Sequence, residues 1–212
     1  MNPRALSHGR DYDGEDPLGW FVSEKLDGCR AVWDGRCFWT RQGSVIDAPE
    51  WFTEGLPRFA LDGEIWAGRG GFETARSAVQ FGREYFKPGV RFVVFDLPGF
   101  TGRWDERMQT AAAMIKDAPH ASAIEYSVIT DRRDVFAKLQ VFQSGGGEGL
   151  MLKSPHETSY TPGRTANLLK VKLSHPAFFT LKFTRAGHHP ARGVRKQSTK
   201  PETVERRQAM NR

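Results

Sequence analysis

The stretch Ser23-Glu24-Lys25-Leu26-Asp27-Gly28-Cys29-Arg30 puts Lys25 where a strand gives way to a loop, with Asp27 two residues on and Gly28 next. That layout suits a nucleophile beside a phosphate. A free lysine side chain titrates near about 10.4 and is almost fully protonated at neutral pH, so it lacks the lone pair it needs to attack. A working lysine nucleophile therefore needs surroundings that disfavour the ammonium, through burial or neighbouring cations. A metal ion on the phosphate would complete the arrangement.

Outward from Lys25, residues 20–23 and 31–33 read as strands flanking the loop, and 36–40 as another, closed by a turn at Gln42-Gly43. Asp34-Gly35 supplies hairpin turn dihedrals between the last two. Further strands are expected at 59–65, 91–97, 125–130, 150–153 and 168–172, with helices at 72–80 and 134–143, the latter stopped by Gly145-Gly146-Gly147. Trp104, Met108, Ala111, Ala112 and Ile115 recur at helical spacing, which predicts an amphipathic helix over 103–116. One more strand is possible at 178–183, and residues 185–212 read as disordered. Short links between the early strands argue for antiparallel or mixed sheets rather than a doubly wound parallel sheet.

The chain has 212 residues, enough for one large domain with a core of its own. It has no apolar run long enough to span a membrane, and its polar first twenty residues lack the apolar centre of a secretory signal. Two cysteines, Cys29 and Cys37, make neither a disulfide framework nor a zinc pattern and read as packing residues on neighbouring strands, which fits a reducing cytoplasm. The net charge of +6 is unevenly placed. Residues 182–212 hold nine Lys/Arg and two Glu, a balance of +7, which leaves −1 for the rest. A basic tail on a near-neutral body is a footprint of polyanion binding, although a solvated terminus without a partner has the same composition.

Four further clusters carry candidate chemistry: Asp62-Gly63-Glu64 on an otherwise apolar strand, Phe95-Asp96 at a strand end, Glu148-Gly149-Leu150-Met151-Leu152-Lys153, and Leu168-Leu169-Lys170-Val171-Lys172. In the last, the strand period puts Lys170 and Lys172 on one face. Singly, each has an ordinary structural reading: a turn aspartate, a solvated glutamate, a core phenylalanine, a wet lysine face. Together they make an inventory for phosphoryl-type transfer, in which cations clamp phosphates and carboxylates hold a metal that neutralises developing charge.

The set, in its order, resembles the covalent nucleotidyltransferases: ATP-dependent DNA ligases, RNA ligases and mRNA capping enzymes. Lys25-Leu26-Asp27-Gly28-Cys29-Arg30 matches their Lys-x-Asp-Gly-x-Arg motif, and the other clusters match the later motifs at plausible spacing. Residues 20–28 and the segment Gly163-Arg164-Thr165-Ala166-Asn167-Leu168-Leu169-Lys170-Val171-Lys172 look most like the minimal DNA ligases of bacteria and their phages. The resemblance covers roughly residues 5–173 and implies an α+β adenylation domain of two mostly antiparallel sheets with flanking helices and the nucleotide between them.

Carried over residue by residue, the resemblance implies that Lys25 attacks the α-phosphate of ATP and holds AMP as a phosphoramidate. Arg30 and Glu64 would bind the ribose, Phe95 would stack on adenine, and Glu24 and Lys153 would be further nucleotide contacts. Glu148, with Glu64, would hold Mg2+ or Mn2+. Lys170 and Lys172 would contact phosphates, Arg41 the 5′-phosphate of a nick, and Asp27 the metal or the leaving 3′-hydroxyl. Lys170 and Lys172 beside Lys25 would also disfavour its ammonium by like-charge repulsion.

The expected partner is nicked double-stranded DNA, met by a cytoplasmic monomer of host or phage origin. These ligases usually continue into an OB-fold after the lysine pair. Five strands do not fit into residues 173–212, so the expected organisation is an adenylation domain over 1–173, a basic tail over 174–212 and no OB-fold. An RNA ligase, a capping-type guanylyltransferase and a non-catalytic nucleic-acid binder are the rival readings.

Overall fold

The computed structural model describes residues 6–172. In chain order the elements are β1 (Ser7–Asp11), β2 (Phe21–Lys25), β3 (Cys29–Trp33), β4 (Phe38–Thr40), β5 (Val45–Ile46), α1 (Glu50–Thr53), β6 (Leu61–Trp66) and α2 (Phe72–Phe81). Then follow β7 (Arg91–Asp96), α3 (Trp104–Met114), β8 (Ala121–Ala123), β9 (Tyr126–Val128), α4 (Asp134–Ser144), β10 (Gly149–Lys153) and β11 (Gly163–Val171). One sheet runs β1-β11-β10-β2-β9 and the other β5-β4-β3-β6-β7-β8. Only β1/β11 and β7/β8 pair in parallel among the described strands. The result is the α+β, mostly antiparallel arrangement that the motifs implied.

Period-2 alternation divides each sheet into a core face and a cleft face. In the first sheet Val22, Leu150, Leu152, Leu169 and Val171 turn to a cluster completed by Val135 and Leu139 of α4. In the second, Ala31, Trp33, Leu61, Ile65, Phe92 and Val94 pack with Ala75 and Ala78 of α2 and Ala111 of α3. A third cluster of Phe21, Val93, Trp104, Met108 and Ile124 lies between the sheets. Phe21, Trp104 and Tyr126 close it with ring centroids 4.8–5.8 Å apart, within the range of favourable aromatic pairs.

The chain changes sheet between β2 and β3, through Leu26-Asp27-Gly28. Lys25 ends β2 opposite Gly149, and Cys29 opens β3 opposite Ile65. Gly28 is needed at this crossing, because a Cβ there would stand 2.5 Å from the Ile65 carbonyl oxygen and 2.8 Å from Glu64 Cγ. A hydrophobic lysine strand, a glycine and a second strand thus deliver the lysine to the seam between two sheets.

Several sequence expectations need correction. The β3–β4 connection is a four-residue loop, Asp34 to Cys37, rather than a two-residue turn. Asp34 Oδ1 accepts the Arg36 and Cys37 N–H groups at 2.8 and 2.9 Å, so the aspartate side chain shapes the loop. Cys37 therefore belongs to this loop and only Cys29 to a strand; both thiols are free. The last strand starts at Gly163 rather than 168. Strands β1, β5 and β8 and helix α1 were not anticipated, being short or polar. The expected strand at 178–183 and the tail lie outside the described residues.

Candidate active site

The cleft faces of the two sheets enclose about 370 Å³. Ser23 and Lys25 of β2, Met151 and Lys153 of β10, and Leu168 and Lys170 of β11 line one wall. Arg30 of β3, Asp62 and Glu64 of β6, and Phe95 and Asp96 of β7 line the other. Eight of the eleven residues given roles in the sequence line the cleft, Arg41 exposed at its mouth; Glu148 and Lys172 stand beside Lys25, and Asp27 lies exposed on the loop.

Lys25 is half-buried, and its ammonium is ion-paired with Glu148 Oε2. The second oxygen of Glu148 takes Lys172 Nζ at 2.5 Å. One carboxylate thus bridges the candidate nucleophile and the last lysine of the pair. Burial alone would raise the Glu148 carboxyl, but hydrogen bonds from Lys172 and Lys25 outweigh it and hold the group below its ordinary value. Lys170 pairs with Asp11 at 3.1 Å. Each lysine expected to act as a bare like charge on Lys25 is accompanied by a carboxylate, so like-charge repulsion is not the arrangement found here.

On the opposite wall Arg30 forks onto Asp62, Nε to Oδ1 at 3.0 Å and Nη2 to Oδ2 at 2.6 Å. It also donates to the Ser7 carbonyl at 2.7 Å and stands 5.3 Å above the Phe95 ring centroid. Tyr160 donates to Asp62 Oδ2 at 2.7 Å and accepts the Ser7 N–H at 2.8 Å. Asp62, fully buried, is therefore the anchor that aims Arg30 along the wall. Glu64 lies across from Arg30 in the ladder. Burial pushes its carboxyl up to about 7, against the lowering charges of Lys25 and Arg30.

Two expected nucleotide contacts have protein partners. Lys153 is buried, with Nζ 3.0 Å from Asp96 Oδ2 and 2.8 Å from Glu157 Oε2. Arg107 of α3 joins the same network through Asp96 at 2.8 Å and Glu157 at 2.9 Å. Burial would raise Asp96, yet Lys153 and Arg107 overcome it and hold the group down. Glu24 is gripped by Arg69, with Nε and Nη2 at 2.8 and 2.9 Å from its two oxygens. At the cleft mouth, burial first and then the charges of Arg30, Arg41 and Arg164 keep the His8 imidazole below its usual value, which marks a cationic rim.

Among the described residues no three His, Cys, Asp or Glu side chains gather into a cation cage. Magnesium is commonly held by one or two carboxylates plus substrate phosphates and water. Glu64 on one cleft wall and Glu148 beside Lys25 are carboxylates of the kind that lighter demand uses. Sequence reasoning missed Tyr160, Arg107, Glu157 and Arg69. Arg107 was open to discovery, because it falls on the apolar stripe of α3 beside Trp104, Met108 and Ala111. Tyr160 and Arg69 sit in loops whose partners are far away in sequence.

No family model matches the chain. A DNA ligase of Haemophilus influenzae is 29% identical over 184 residues, covering 86% of this chain and 67% of that protein. A solved Lig E DNA ligase, described as binding DNA with a minimal scaffold, is 34% identical with a TM-score of 0.71, over 79% of this chain and 68% of that one. The Chlorella virus DNA ligase–adenylate shares the fold at 23% identity, with a TM-score of 0.66 over 79% of this chain and 66% of that one.

Proposed function

We propose, from the premise that this chain belongs to the DNA ligase family, that it uses ATP to seal nicks in duplex DNA through a lysyl-AMP on Lys25. The observation that carries the reading is the placement of Lys25 at the end of β2. There it faces a cleft between two sheets, is linked through Glu148 to Lys172, and looks toward Arg30, Glu64 and Phe95.

In the first step Lys25 Nζ attacks the α-phosphorus of ATP. A P–N bond forms, the bond to the bridging oxygen breaks and pyrophosphate leaves; one ammonium proton must leave Lys25 before attack and a second passes to solvent as the phosphoramidate N–H forms. The first must go because an ammonium has no lone pair with which to attack, and Glu148 Oε2, already paired with the ammonium, is the acceptor within reach for that proton. In the second step the 5′-phosphate oxygen of a nick displaces lysine from AMP. In the third, the 3′-hydroxyl attacks that phosphate and AMP departs. Phe95 would offer the face on which adenine stacks, with Arg30, already aimed by Asp62, and Glu64 at the ribose. Lys170, Lys172 and Arg41 would meet phosphates as charge-assisted donors. A divalent ion, when bound, would be held by Glu148 with Glu64 and would neutralise charge on the phosphates.

Label transfer from α-labelled ATP tests the reading, with Mg2+ present, GTP as comparison and Lys25→Ala as control. Covalent label from ATP that vanishes in Lys25→Ala is the expected result. Label surviving in Lys25→Ala would show the nucleophile misassigned, and preference for GTP would point to a guanylyltransferase. Competition between nicked DNA and nicked RNA then reads the polynucleotide; the DNA nick should win.

A further inference from the structure

Arg69 has no part in the scheme above, yet it touches both segments that deliver the reacting pair. It belongs to the loop Ala67-Gly68-Arg69-Gly70-Gly71 between β6 and α2, in which Gly68 and Gly70 have φ of 84° and 74°. That backbone is open to glycine at little cost and projects one long side chain out of a tight turn. From there the guanidinium reaches the other sheet. It forks onto Glu24, the residue before Lys25, donates from Nη1 to the Gly145 carbonyl at 3.2 Å, and stands 5.5 Å over the Phe142 ring.

Glu148 follows Gly145-Gly146-Gly147, a run with little conformational preference of its own. In the structure this run is closely seated. Arg69 Nη1 occupies the space in which a Gly145 side chain would begin. A Cβ on Gly147 would stand 2.8 Å from the Phe142 carbonyl oxygen and 3.0 Å from Glu24 Oε1. One guanidinium therefore closes a ring from Glu24 through the glycine run to Glu148 and back to Lys25. A lone surface ion pair does little, but a bidentate fork with a third hydrogen bond and a ring beneath it fixes geometry.

We infer that Arg69 is a positioning residue for the nucleophile: by tying Glu24 to the glycine run, it sets Lys25 and Glu148 in register for lysine adenylylation. The inference rests on the reading of Lys25 as the nucleophile. Arg69 is not a catalytic residue, since its guanidinium is spent on Glu24, Gly145 and Phe142. Its removal should alter how often the Lys25–Glu148 geometry is met, rather than how well ATP binds.

The test is single-turnover label transfer from ATP in wild type, Arg69→Ala, Arg69→Lys and Lys25→Ala, at a series of ATP concentrations, with thermal melting of each. Arg69→Ala should lower the maximal rate by about 10- to 100-fold, the scale set by small misplacements of reacting groups. The half-saturating ATP concentration and the melting midpoint should stay near wild type, because the side chain is about a third exposed. Arg69→Lys should recover only part, having charge without the fork, and added methylguanidinium should restore rate to Arg69→Ala alone. A full rate in Arg69→Ala beside a dead Lys25→Ala overturns this inference by itself. A loss that tracks melting or half-saturation, without rescue, overturns it too. Absence of Lys25-dependent label in the wild type overturns both this and the reading beneath it.

Discussion

Glu64 shows how a single side chain couples the site to stability. Its carboxyl is pushed up to about 7 from an ordinary 4.5, chiefly by burial. Between those values the folded state holds a proton that the unfolded state has lost, so stability falls as pH rises through that window. The usual carboxylate trend runs the other way. We expect unfolding free energy to decline from pH 4.5 to 7.5 more steeply in wild type than in Glu64→Gln, which lacks the titration. At pH 8 the variant should be the more stable by about 1–3 kcal/mol, the order implied by a shift of this size. Urea unfolding of both proteins across that range measures it. Parallel curves would mean Glu64 is hydrated and titrates normally, and with it would go the idea of a carboxylate held at some cost for nucleotide binding.

At the scale of elements, α3 and the ends of β7 and β10 are joined by four buried charges, Arg107, Asp96, Lys153 and Glu157. The network fastens the end of β7 that carries Phe95, whose carbonyl also accepts Trp104 Nε1 from α3 at 2.9 Å. Buried charges are tolerated only while balanced. Arg107→Met would leave Lys153 facing two carboxylates and should cost about 3–5 kcal/mol in denaturant unfolding. A loss below about 1 kcal/mol would show water replacing the guanidinium. The same elements show what could be read from sequence and what could not. The α3 stripe, the apolar β7 and the alternation of β6 announce themselves, because periodicity reports a buried face directly. The motif lysines and carboxylates were likewise legible, since their chemistry is local to short strands. Strands β1, β5 and β8 have two to five residues and carry little pattern; they exist because neighbouring edges accept them. Arg69, Tyr160 and Glu157 were invisible for a related reason. Each is an ordinary loop residue until the fold brings Glu24, Asp62 or Arg107 within reach.

At the scale of the molecule, charge is segregated. Residues 1–181 sum to −1 and residues 182–212 to +7, while Arg41 and Arg164 make a cationic rim at the cleft mouth, with the His8 imidazole beside them held toward its neutral form. On the proposed reading, a near-neutral body with such a rim would attract a nick phosphate locally but offer little reach along a duplex. On the same reading the C-terminal segment would add reach along the duplex: residues 186–212 hold seven Lys/Arg and two Glu. Each cation that displaces a counterion from duplex DNA steepens the fall of affinity with salt by about 0.9 in a log–log plot, so seven set an upper limit of about 6. We therefore expect truncation after Arg185 to weaken binding to a nicked duplex most at low salt and to flatten the salt slope. Label transfer to Lys25 should be unaffected, because the lysine, Glu148 and the cleft walls lie within residues 6–172. Affinity titrations at stepped salt concentrations separate the two contributions. A slope unchanged by truncation would assign DNA attraction to the cleft rim alone, and Arg41→Ala should then flatten the slope instead.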